Sequence, residues 1–184
     1  MTSINQDPVV PEMLARLRAN KSGKLTTGQW LDIVMQPLTP LLLLMLPGAL
    51  IILPRLWLFT VRGGWLILLL LPVVLLVSFA IRARRYARAP VQFAQLRALH
   101  NTAPVWMYWR SLVMTDDAGG QIHFRKRLAP RPFVNKNQLY LVYFLVEGDE
   151  HVLLSIAPVD HPRGEWWLPD QFFFQRYERR SRNA

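Results

Sequence analysis

Four histidines, twelve carboxylates and no cysteine limit the chemistry this chain can do. His100, His123, His151 and His161 stand far apart, and no two of them share a metal-ligand spacing such as His-x3-His. His161 with Asp160 and Asp170 would make a metal or acid–base site if the fold gathered them, but carboxylates and prolines in such a stretch are also what a turn uses. Ser155 lies in an apolar run without a Gly-x-Ser-x-Gly elbow, which fits a core hydroxyl better than a nucleophile. The paired acids Asp116-Asp117 and Asp149-Glu150 fall beside glycines, where hairpin turns are expected. No glycine-rich phosphate loop opens a helix. Without cysteine, disulfides, thiolate nucleophiles and cysteine-based zinc sites are excluded. The expectation is a chain with no catalytic residue, no metal and no cofactor.

The charge is more informative. With 22 Lys+Arg against 12 Asp+Glu the chain carries +10, divided as +1 over residues 1–36, +2 over 37–81 and +7 over 82–184. Two basic clusters are candidate binding groups. Arg82, Arg84, Arg85 and Arg88 follow an apolar run directly, where anionic lipid headgroups would anchor them at roughly 1 kcal/mol each. Arg125, Lys126, Arg127 and Arg131 sit on or beside a predicted strand, where they would grip a protein partner, lipid headgroups or nucleic acid. Nucleic acid ranks last, because the aromatic side chains it would stack on are expected in the core.

Two apolar runs, Leu38–Leu53 and Trp65–Ile81, set the element plan. Each approaches the roughly 17–25 residues needed to cross a bilayer, and Leu66–Val77 carries no polar stripe. The short link holds Gly63 and Gly64 for a reversal, and Trp57 and Trp65 for an interfacial belt. These features predict a transmembrane hairpin over 37–81, with spans 38–54 and 65–81. The Lys/Arg excess on both flanks predicts cytoplasmic termini in an inner (plasma) membrane. Neither run holds an ionisable residue at its centre, which argues against ion or proton transport.

The flanks read as small elements. Pro11–Asn20 predicts a helix with Gly23 as its C-terminal cap, and Thr26 with Gln29 predicts a capping box opening a second. Leu14, Leu17, Gly23, Leu25-Thr26 and Trp30 together resemble the helix–Gly–helix modules called SHOCT domains. The same residues also suit an amphipathic hairpin on a membrane surface. Residues 82–104 read as a basic linker with a short helix over Val91–His100. Residues 105–178 read as a β-rich cytoplasmic domain, with strands at Val105–Met114, Gln121–Leu128, Leu139–Val146 and His151–Ala157. Trp166, Trp167, Phe172, Phe173 and Phe174 are expected to return the chain to the core, and 179–184 is a basic tail.

An Arg-rich stretch after the second run, then Leu139-Tyr140-Leu141-Val142-Tyr143 and Leu153-Leu154-Ser155-Ile156-Ala157-Pro158, resembles uncharacterised bacterial two-pass membrane proteins with a small PH-like, membrane-flanking β domain. The fold class expected is thus an α+β membrane protein, a two-helix transmembrane hairpin followed by a small antiparallel β-rich domain. Its expected role is a non-enzymatic, membrane-anchored module binding a protein partner or an anionic membrane surface. The alternatives are an accessory subunit of a larger membrane complex, and an enzyme on lipid-linked substrates using His161, Asp160 or Asp170. Expected partners are the lipid bilayer and a membrane protein or a second copy of the chain.

Overall fold

The structure is a computed structural model, and it describes residues 9–35, 65–100, 112–128 and 134–182. Three helices, α1 (Pro11–Asn20), α2 (Thr27–Met35) and α3 (Trp65–Arg88), precede five strands, β1 (Val91–Ala98), β2 (Leu112–Thr115), β3 (Gln121–Arg127), β4 (Leu139–Glu147) and β5 (Glu150–Pro158). A 3-10 turn (Gly164–Trp167) and helix α4 (Gln171–Ser181) follow. The chain divides into two units, Met1–Gln29 with Arg88–Ala184, and Trp30–Ala87.

In the first unit the strands close a barrel in the order β1-β2-β3-β5-β4. Every neighbouring pair is antiparallel except β3 with β5, which is parallel. The turns follow from local chemistry. Asp116 N–H donates to Gly120 O, with Gly119 at φ +81°, and Gly148 at φ +57° reverses β4 into β5. Leu96, Met114, Phe124, Val142 and Leu153 are fully enclosed, and the rings of Phe124 and Phe144 meet edge-on at 5.6 Å.

The strands do not bury their outer faces equally. Tyr140–Leu145 and Val152–Ala157 are buried at every position, so β4 and β5 are covered on both faces. The outer cover is helical. Asn20 of α1 donates through Nδ2 to Ser155 Oγ at 2.7 Å, and Arg16 donates through Nη1 to Leu128 O. Gln29 closes the predicted capping box with Thr26 and donates through Nε2 to Leu154 O at 3.0 Å. Phe173 of α4 packs edge-on against Tyr143 at 5.9 Å. By contrast Gln95, Arg97, Gln121 and His123 leave the outside of β1–β3 exposed.

The second unit pairs the end of α2 with α3. Trp30 meets Phe79 edge-on at 6.4 Å, and Arg82 Nε donates to Ile33 O at 3.3 Å. Here the structure overturns the expected fold class. Among the described residues no helix is long and apolar enough to cross a membrane. The expected first span, 38–54, lies outside the described residues. The expected second span, 65–81, is part of a helix that runs on to Arg88, takes in Arg82, Arg84 and Arg85, and is committed to α2 through Phe79 and Arg82. The transmembrane hairpin, the two-pass architecture and the inner-membrane location therefore do not stand.

Two smaller expectations are also corrected. Where a helix over Val91–His100 is expected, Val91–Ala98 is a strand, because seven of its residues, Val91–Arg97, pair antiparallel with Leu139–Leu145. The β-domain is a closed barrel with one parallel pair, not a wholly antiparallel sheet.

Candidate functional site

The residues from Trp166 to Arg182 combine exposed aromatic and basic side chains. Adjacent aromatics point opposite ways. Trp167 and Phe173 are buried, while Trp166, Phe172 and Phe174 are 70%, 62% and 58% exposed. Leu168 and Tyr177 are exposed beside them.

The platform beneath is fixed at several atoms. Tyr143 donates its hydroxyl to Trp167 O at 2.5 Å, and burial, with the charge of Asp170 adding to it, pushes its pKa well above the ordinary tyrosine range. The His161 ring lies tilted against Trp167, centroids 4.6 Å apart, while its Nδ1 accepts from Arg163 N–H at 3.0 Å. Gly164 is buried against the chain, and a Cβ there would sit 2.7 Å from Val159 O. Asp170 caps α4. Its Oδ1 accepts from Phe173 N–H at 3.0 Å, its Oδ2 accepts from the Ser22 hydroxyl at 2.6 Å, and its own N–H donates to Lys21 O at 3.1 Å. The helix is thereby tied to the C-terminal end of α1, where Gly23 turns the chain at φ +68° with Arg176 close by.

Basic side chains continue the face. Residues 171–182 hold Arg176, Arg179, Arg180 and Arg182 against Glu178, a balance of 4 − 1 = +3. Arg180 is half-buried and donates to Ala89 O at 3.1 Å, and burial, then Arg176, lowers its pKa. Arg179 and Arg182 are exposed. Phe172, Gln175, Arg179 and Arg182 recur at i, i+3, i+7 and i+10, so they share one stripe of α4 with its aromatic end at the first turn.

The residues singled out from sequence fare differently. Arg84, Arg85 and Arg88 are exposed on α3. Arg82 is half-buried, bonded to Ile33 O and set over the Tyr86 ring at 5.3 Å. Arg125, Lys126 and Arg127 lie in β3 at the irregularity where Phe124 pairs with His151 and Lys126 with Val152. Arg131 lies outside the described residues. Asp160, His161 and Asp170 do not converge on a common point, because Asp170 is spent on its cap and His161 on Trp167 and Arg163. Among the described residues no three His, Asp or Glu side chains are placed to hold a metal ion. Ser155 is fully buried against Asn20.

Sequence reasoning missed the aromatic face by assigning Phe172, Phe173 and Phe174 together to the core. Asp170 as an N-cap, with Arg179 and Arg180 in the last turn, was the available helix signal. Compared with known proteins, the chain matches no family model, no curated protein and no solved structure. Barrel topology alone assigns no activity.

Proposed function

We propose that the chain is a non-enzymatic interaction module that docks a protein partner on the exposed side of α4, where Phe172 and Phe174 flank the buried Phe173, Trp166 precedes the helix and arginines follow toward its end. The exposure of the three aromatics carries the reading. Burying a side chain of this kind contributes about 1.5–3 kcal/mol, and leaving three in water within nine residues forgoes that gain unless something else covers them. Interfaces draw their largest contributions from Trp, Tyr and Arg held on a rigid base. Here Trp167, Phe173, the Asp170 cap and the Tyr143 hydroxyl supply that base.

The test compares the tagged full chain with a Trp166→Ala/Phe172→Ala/Phe174→Ala variant. The expected result is a partner recovered in stoichiometric amount with the native chain and lost from the variant, at an unchanged thermal midpoint. Recovery of the native chain alone, or a partner held equally by the variant, overturns the reading.

A further inference from the structure

Resting on that reading, we infer that the partner offers an acidic segment, with one apolar or aromatic side chain lying on Phe172 and carboxylates reaching Arg179 and Arg182. Charge and spacing carry the inference. The exposed stripe of α4 is apolar at its first turn and cationic at its end. Glu178, one step off that stripe, faces Arg182 across 3.7 Å with both side chains largely in water, so this intrahelical pair is weak and open to replacement. A guanidinium takes a carboxylate in a two-pronged, planar contact that a better-aligned acid would complete.

Distances along the helix set the ligand's pattern. At about 1.5 Å per residue, Arg179 lies roughly 10 Å and Arg182 roughly 15 Å beyond Phe172. An extended chain advances about 3.3 Å per residue, so carboxylates about three and about five residues from the apolar anchor meet the two arginines. Glu178, immediately before Arg179 in sequence, disfavours a ligand that is acidic at every position. The three aromatics are also more than a plain anion needs, which separates this face from a simple phosphate site.

The experiment titrates the isotope-labelled full chain with a synthetic peptide bearing Phe followed by Glu three and five residues on, against its Gln counterpart, up to millimolar concentration. The expected result is amide shifts confined to 166–182, an affinity for the Glu peptide at least about tenfold above that for the Gln peptide, and weakening with salt as exposed charges require. Arg179→Glu/Arg182→Glu should lose the Glu peptide and gain one carrying Lys at the same places. Equal binding of the two peptides, or no shifts at all, overturns the inference. So does tighter arginine-dependent binding to phosphatidylglycerol vesicles or to polyuridine. If the aromatic-dependent partner still co-purifies with the Arg179→Glu/Arg182→Glu variant, the docking reading survives and the acidic ligand does not.

Discussion

Asn20 and Ser155 show how a single polar pair fixes a helix on a barrel. Both are fully buried, and Asn20 Nδ2 donates to Ser155 Oγ, while Asn20 Oδ1 has no hydrogen-bond partner among the described residues. The pair is already short of one bond, so removing the Ser155 hydroxyl leaves the whole Asn20 amide unpartnered in an apolar setting. Ser155→Ala should therefore destabilise by about 1–3 kcal/mol, the range for orphaning a buried polar group. With Asn20 already replaced by Ala, the same change should cost less, since the amide it served is gone. A double-mutant cycle in urea measures the coupling, and a value near zero would mean the hydrogen bond contributes nothing to docking α1. This residue also marks a limit of legibility. The sequence places Ser155 correctly as a core hydroxyl, but names no partner for it, because Asn20 lies far away in the chain and looks like the end of a solvated helix.

At the scale of elements, what local chemistry determines was readable and what pairing determines was not. The start of α1, Gly23 after its end, the Thr26–Gln29 box and the turns at 116–120 and 147–150 all depend on neighbouring residues, and all are present. The strand β1 depends on β4, some fifty residues on, and its Gln, Ala, Leu and Arg residues favour helix by themselves. The aromatic triplet depends on period. In a strand Phe172 and Phe174 would share a face, whereas in a helix Phe173 turns inward alone, and the cap at Asp170 decides for the helix. Asp170→Ala should thus cost about 1–2 kcal/mol and fray the first turn of α4, read as faster amide exchange at Phe172–Phe174. Protection unchanged there would show that the cap is dispensable. Gly164→Ala, whose new Cβ would meet Val159 O at 2.7 Å, should cost about 1–3 kcal/mol. Gly120→Ala, with open space around it, is the matched control and should leave the unfolding midpoint nearly unchanged.

For the whole molecule, two phenols buried on β4 tie stability to alkaline pH. Burial raises Tyr140, partly offset by the hydrogen bond from Asn135, and raises Tyr143 further, with Asp170 adding to it. In the unfolded chain both titrate near pH 10. Above that value the unfolded state gives up protons that the folded state keeps, so it binds fewer of them and stability falls as pH rises. Below about pH 10 the contribution is complete, and it is lost progressively toward the raised folded-state values. Tyr143 has the larger share, and its hydroxyl holds Trp167 O, so its ionisation also loosens the base of the aromatic face. Tyr143→Phe should begin less stable by about 1 kcal/mol for the missing hydrogen bond, yet decline less steeply between pH 9 and pH 11. Urea midpoints across that window, with Trp166 fluorescence followed alongside, give the comparison. Parallel declines in the two proteins would assign the alkaline loss to other groups. A flatter variant would assign the larger share of the alkaline loss to the Tyr143 phenol, the same group whose hydroxyl holds the candidate binding face on the barrel.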